Sequence, residues 1–326
     1  MNKKKTIGFS CGIISGMSYG FYGIFSSLLL AAGITDLAII ALPPLALTVF
    51  FGIKVLFKPR VMKEIPWKIY LLLILQGGIV STAMNYSYIN AYASGMPVGV
   101  VSIVAFCNVI VVMILSYFVL SYKFTLPKII AIVLAVFGVS LVIGVIGGGG
   151  NVGTYTALGL MWTLLIPVFY GINVVITAYA LTKGTDSDAV LLLAQGSSLI
   201  VVLVFLIHPL ALFQDLFGHM GGDVLLWLAF LGFCLIPHAL SYATMQEALK
   251  RIDPTIYQIL MSFDPVTSLT LGIIIMSQVV SGLQLLGVAL VLAAVIFITV
   301  MDGREASREN DAGEIPGAPE EPTLSS

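Results

Sequence analysis

One acid stands apart in this sequence. Asp264 lies roughly mid-way along an apolar run, 254–277, and Pro265 follows it. A carboxyl at such depth is expensive to keep there, so it either does chemistry or is well partnered. As a functional group it carries a proton or opposes a cationic solute. As a structural group it stays neutral and hydrogen-bonded, for instance to His238 or a tyrosine, and holds a proline kink in place. His238 follows Pro237 inside another apolar run, 223–247. It is either a proton relay or a neutral hydrogen-bond partner.

The remaining polar groups fall in stripes. Ser81, Asn85, Tyr88 and Tyr92 are spaced 4, 3, 4 and share one face of a helix. His238, Tyr242 and Met245 stand at the matching positions 157 residues later, with Gln246 adjoining. Ser15, Tyr19, Tyr22 and Ser26 repeat the 4, 3, 4 spacing, and Tyr170, Asn173 and Asn108 occupy further apolar runs. A cavity lined by tyrosines accepts aromatic or cationic organic solutes by stacking and cation–π contact. The alternative for some of them, Tyr86 and Tyr92 first, is packing or anchoring at a membrane interface. Lys183, Asp186 and Asp188 read as a solvated loop, and Glu247 with Arg251 as a surface pair. Cys11, Cys107 and Cys234 sit singly among apolar residues, so neither a metal site nor a disulfide framework is expected.

The elements that position these groups must be membrane helices. Of the 326 residues 59% are hydrophobic and only 10% charged. A soluble domain carries about 25% charged residues to face water. Ten runs are long and apolar enough to span a bilayer: 7–32, 37–57, 67–92, 97–121, 126–146, 155–181, 188–208, 223–247, 254–277 and 282–301. The first follows the basic Lys3–Lys5 and lacks a cleavage site, so it is read as an uncleaved span. With the N-terminus inside, all 15 Lys and Arg fall on inner segments and the outer connections carry none. That segregation places both termini in the cytoplasm of a cell whose inner membrane holds the chain. The last 25 residues contain 7 of the 16 acids together with Pro316, Pro319 and Pro322, and read as a disordered cytoplasmic tail, 302–326.

Five spans precede the run Gly147–Asn151 and five follow it. Phe21–Ile24 (FYGI) recurs as Phe169–Ile172, and Ala91, Pro97, Phe106 and Val109 recur as Ala248, Pro254, Phe263 and Val266. The expected fold is an all-α polytopic membrane protein, ten helices in two inverted five-helix repeats. The first repeat is 1–146, the second 155–301, with an extracytoplasmic glycine-rich linker, 147–154, between them. Inverted repeats let one half rock against the other about a central site. The classes set aside are an intramembrane enzyme, since HExxH and GxGD are absent, and a receptor or scaffold with a sizeable soluble domain.

These features resemble the drug/metabolite transporter superfamily, specifically its EamA-like group, over about residues 8–300. In that family each repeat closes on a proline in the fourth helix, a glutamate thirteen residues on, then Ser/Thr, Gln and Gly. The second repeat here reads Pro265, Gln278, Ser281, Gln284, Gly287. The first reads Val109, Tyr122, Thr125, Lys128, Ala131, with Gly138 beyond. Gln278 and Tyr122 replace the family glutamate, which makes the chain a divergent member. The resemblance implies a secondary transporter, in the main an exporter, of small neutral or cationic metabolites such as amino acids, amines or drugs. It would work by alternating access with proton coupling; the rival is a passive facilitator or channel. Expected solute contacts are Tyr19, Tyr22, Ser81, Asn85, Tyr88, Asn108, Tyr170, Asn173 and Tyr242, with Asp264 and His238 for coupling. No cofactor, metal or nucleic acid is expected, the partners being the solute, protons and the bilayer around a monomer or homodimer.

Overall fold

The computed structural model describes residues 3–94, 96, 101, 104–122, 125–142, 146, 156–276 and 281–313. All regular structure among them is helical. Among the described residues five helices are long and apolar enough to cross a membrane: Leu37–Leu56, Trp67–Tyr88, Ala157–Thr182, Ser187–Leu206 and Val224–Leu249. Shorter apolar helices cover Val104–Leu120, Leu126–Leu141 and Leu285–Ile298. Large apolar side chains such as Phe118, Phe205, Leu225 and Ile274 point outward, as lipid requires. The linker residues 147–154 and Gln278 lie outside the described residues.

Span starts are fixed by local hydrogen bonds. Thr35, Thr156, Asp186, Asp223 and Asp253 each accept backbone N–H groups from the helix they open. A helix beginning near hydrocarbon leaves N–H groups without water, so each cap removes an unsatisfied donor.

Spans 1 and 9, which read as continuous, are broken. The first splits into Lys3–Tyr19 and Tyr22–Ala31, so Gly20 and Phe21 interrupt it. The ninth splits into Pro254–Leu260 and Phe263–Met276. The expectation of a kink at Pro265 is corrected here. The break lies upstream, at Met261 and Ser262, and Asp264 and Pro265 sit in the first turn of the new helix. Proline is tolerated there because its missing N–H would have no intrahelical acceptor. Asp264 gains instead from the positive end of the helix dipole.

Spans 3 and 8 each carry a π-helical turn, Gln76–Ser81 and Cys234–Leu240. At an offset of 157 the first maps onto 233–238, overlapping the second. The interhelical packing has the same pairing. Span 1 packs on spans 8 and 9, and span 6 on spans 3 and 4; span 2 packs on span 7, and span 5 on span 10. Each contact in one half thus has its counterpart across the repeats. Close approach is bought by glycine. Gly8, Gly12, Gly16 and Gly20 lie every fourth residue along span 1, and a Cβ on Gly12 would sit 2.5 Å from Leu260 Cδ1. Gly138 meets the Gly287 carbonyl oxygen in the same way, 3.0 Å from its Cβ position.

Basic residues gather at one end of the bundle. Lys54 and Lys58 pair with Asp188 from the start of span 7, and Lys128 from span 5 pairs with Asp253 at the start of span 9. Arg251 reaches Glu247, as the sequence suggested, and Lys250 does so as well. Lys183 is exposed in a turn, as a solvated loop residue should be, but that reading is corrected for Asp186 and Asp188. Asp186 caps span 7, and Asp188 is buried between two lysines.

Two further elements differ from the sequence reading. A helix, Pro209–Met220, fills the connection between spans 7 and 8 at the opposite end. It buries Leu212, Leu216 and Met220 and exposes Leu210, Phe213 and Phe217, the pattern of a helix lying at a membrane interface. Thr35 ties it down, its N–H and hydroxyl donating to Asp215 at 3.0 and 2.8 Å. The last helix runs from Gly282 to Gly313, past the 302 boundary expected of the tail. Its extension, Arg304-Glu305-Ala306, is composed of good helix formers, and Glu305 and Arg308 stand at i, i+3.

Candidate functional site

The breaks of spans 1 and 9 touch. A Cβ on Gly20 would lie 2.8 Å from the Asp264 carbonyl oxygen and 2.6 Å from Thr267 Cβ. Glycine is therefore what lets the interrupted chain of span 1 rest on the first turn beyond the other break. Interrupted helices at such a meeting point leave backbone groups beside a central site.

Aromatic rings surround this junction. Tyr19 and Tyr22, on either side of the span 1 break, stack with centroids 5.7 Å apart and planes 12° off parallel. Tyr22 packs on Phe233 at 5.4 Å and meets His238 edge-on at 5.7 Å. Phe233 closes on His238 at 4.7 Å, and Tyr242 lies 6.5 Å beyond. Tyr19 is near enough to Tyr22, Tyr88, Tyr170 and Tyr242 to interact with each electrostatically. Tyr170 in turn feels Asp264 and Tyr257. Five expected tyrosines, His238 and Asp264 thus come together from spans 1, 3, 6, 8 and 9.

His238 is 3% exposed, and neither ring nitrogen has a hydrogen-bond partner. The hydrogen bond to Asp264 offered by the structural reading of that acid is therefore not made. The π turn explains its placement. The wider turn, with Pro237 inside it, swings His238 into the ring of aromatics.

Other expected contacts go elsewhere. Ser81 and Asn173 do meet, but as partners, Asn173 Nδ2 donating to Ser81 Oγ. Gln76 Nε2 completes the set, donating to Thr177 Oγ1 at 2.8 Å and to the Asn173 carbonyl at 3.1 Å. This buried group ties the π turn of span 3 to span 6. Asn85 is half-buried and makes no hydrogen bond among the described residues. Asn108 is buried at the start of Asn108–Leu120 with its side-chain oxygen unpartnered. Tyr86 packs edge-on against Trp162, 5.7 Å between centroids, as a packing residue should.

Three features escaped the sequence reading. Phe233 completes the aromatic ring, but one phenylalanine in an apolar run carries no signal. Ser15, Ser241 and Tyr257 form a buried knot. Ser15 Oγ donates to the Ser241 carbonyl at 2.9 Å, and Tyr257 Oη lies 3.0 Å from Ser15 Oγ. The four glycines at intervals of four were visible in the sequence and would have foretold the close packing of span 1.

A polytopic helical bundle of two matched halves, with interrupted helices meeting at an aromatic centre, is the architecture of a membrane transporter. The EamA-like transporter family model matches residues 6–144 and 157–300, and the chain belongs to that family. No match is found among curated proteins. A solved crystal structure superposes with a TM-score of 0.72 at 16% identity, covering 91% of this chain and 98% of the other, which shows a shared fold.

Proposed function

We propose that the chain is a secondary active exporter of small neutral or cationic organic solutes, coupled to proton entry and working by alternating access from the cytoplasm. The carrying observation is the aromatic ring of Tyr19, Tyr22, Phe233 and Tyr242 around the unpartnered His238. Aromatic faces attract organic cations and flat solutes, most strongly where water is excluded. The charge pattern agrees, since Asp264 is near enough to Tyr170 to interact with it electrostatically and Lys and Arg gather at the bundle end. Tyr88 and Tyr170 extend the aromatic wall, and Asn85 and Asn108 offer amides.

Coupling follows from the place of Asp264. A cationic solute beside it favours the ionised carboxylate and expels the proton, so solute and proton travel in opposite directions. The matched π turns of spans 3 and 8 give the two halves corresponding elements to rearrange about this centre. Ser81, Asn173, Gln76 and Thr177 hold spans 3 and 6 together as one unit during that motion.

The test is transport by the purified chain in proteoliposomes, with radiolabelled amines and neutral amino acids, with and without a pH gradient. The wild type should concentrate a solute only under the gradient. Solute movement indifferent to the gradient would make the protein a passive facilitator. Asp264→Asn keeps shape and hydrogen bonding but cannot titrate, so it should lose uphill transport and keep downhill exchange. Unchanged uphill transport in this variant would pass the role to His238, with His238→Gln as its test.

A further inference from the structure

A cavity of about 330 Å³ opens at the basic end of the bundle, walled by the end of span 2, the start of span 7 and the end of span 8. Lys54, Lys58 and Lys250 line it together with Asp186, Asp188 and Glu247, so its charges balance and favour a solute of neither sign. What those charges do instead is join helices. Lys54 and Lys58, from the end of span 2, both pair with Asp188 of span 7, and Lys250 of span 8 donates to Ser187 Oγ at 2.6 Å.

One layer deeper the same three spans meet through apolar side chains. Leu47, Phe51, Leu191 and Ala239 form one buried cluster, with Tyr242 and Ala243 packed against it. The layering follows from helical spacing. Leu47, Phe51, Lys54 and Lys58 stand at intervals of 4, 3 and 4, and so do Ala239, Ala243, Gln246 and Lys250; Asp188 and Leu191 are 3 apart. Along one face, each span thus places its apolar residues deeper and its polar ones at the cavity. Phe51, Leu191 and Ala243 line the cavity itself, whereas Ala239 adjoins His238 and Tyr242 belongs to the aromatic centre. The cluster therefore stands between cavity and centre. Spans 2 and 7 touch there without interlocking. A Cβ on Gly52 would lie 3.6 Å from Leu192 Cδ1, and one on Gly196 3.8 Å from Thr48 Cγ2, both ordinary contact. On its other side span 7 is wedged against span 3, where a Cβ on Gly77 would fall 1.8 Å from the Ala194 carbonyl oxygen. The paired lysines are half-exposed, and ion pairs so placed hold weakly. Span 7 is thus fixed to span 3 and only lightly latched to span 2.

We propose that this two-layer contact is the gate between the cytoplasm and the aromatic centre: the cluster of Leu47, Phe51, Leu191 and Ala239 is its seal, and the pairing of Lys54 and Lys58 with Asp188 is its latch. The gate opens as span 7, carried with span 3, parts from spans 2 and 8, and a solute in the cavity then reaches Tyr242. Its purpose rests on the reading of the aromatic centre as the solute site.

Thiol labelling of the full chain in membrane vesicles tests the gate without any transported solute. Two reporters lie one helical turn apart, Ala243→Cys at the cavity wall and Ala239→Cys in the seal, in a chain carrying Cys11→Ala, Cys107→Ala and Cys234→Ala. A membrane-impermeant methanethiosulfonate is applied from the face that labels Lys63→Cys. Labelling follows the open fraction, so a seal closed about nine-tenths of the time makes Ala239→Cys react about tenfold more slowly than Ala243→Cys. Adding Asp188→Asn or Phe51→Ala should bring the two rates together, while Asp188→Glu, which keeps the charge of the latch, should not. Ala294→Cys, buried on span 10, reports loosening of the whole bundle and should stay unreactive throughout. Equal rates at the two reporters in the parent chain overturn the gate. So does a rate at Ala239→Cys that Asp188→Asn or Phe51→Ala leaves unchanged, that Asp188→Glu raises as far as Asp188→Asn, or whose rise is shared by Ala294→Cys. Failure of transport in proteoliposomes would unseat the aromatic centre as the solute site and leave this labelling pattern intact, whereas loss of the pattern would leave the transport result standing.

Discussion

At the residue scale, what the sequence made legible was type and neighbourhood, and what it hid was partnership. Asp264, His238 and the tyrosines could be picked out because polar groups are rare in apolar runs. That Ser81 and Asn173 would satisfy each other could not, since they lie 92 residues apart and meet only once spans 3 and 6 are packed. This difference yields a prediction. Ser81→Ala strands the Asn173 amide in a buried place and should cost about 1–3 kcal/mol. The double variant Ser81→Ala, Asn173→Leu removes both groups and should recover much of that loss in the same unfolding assay. Equal losses added together would mean the two side chains act separately. Tyr22→Leu, by contrast, removes a face of the aromatic ring and should weaken solute binding while leaving the unfolding midpoint nearly unaltered.

Among the elements, span positions were readable from hydropathy. The breaks were not, because Gly20-Phe21 and Met261-Ser262 differ little from other apolar sequence. Nor were the π turns, since the stripe spacing of 4, 3, 4 assumes an unbroken 3.6-residue period. Glycine at these places tests the packing. A Cβ on Gly77, inside the first π turn, would fall 1.8 Å from the Ala194 carbonyl oxygen. Gly77→Ala should therefore cost at least the 1–3 kcal/mol typical of overpacking, about as measured by a lowered unfolding midpoint. Gly218→Ala, in the interfacial helix with nothing within 4 Å, should be neutral or stabilising by up to about 1 kcal/mol. Similar losses at both glycines would contradict the described contact between spans 3 and 7.

Across the whole molecule, charge segregation in the sequence became a single basic end in space, where Lys128 and Asp253 form a buried ion pair between the halves. Breaking such a pair from one side leaves an uncompensated charge, so Lys128→Met should cost about 3–5 kcal/mol. Lys128→Met with Asp253→Asn keeps the helix cap and removes the charge, and should restore most of it. The orientation itself is open to single-cysteine labelling in cells. A cysteine at Lys63 should react only from the cytoplasm and one at Gln214 only from outside; the reverse pattern would turn the molecule over. The matched π turns have one more consequence. A turn closed by i→i+5 hydrogen bonds holds one residue more than the α-helix it interrupts. Each half thus carries a spare residue near its centre, Gln76–Ser81 in one and Cys234–Leu240 in the other. Deleting Ile79 or Ile236 should let the turn relax to α-helix while the flanking stretches keep their faces, giving a chain that still folds. Deleting Leu72 in the regular stretch before it would rotate one side of span 3 by about 100° against the other and should not be tolerated. Within these two helices the molecule can lose a residue, or shuffle one along, without turning its polar side chains toward lipid.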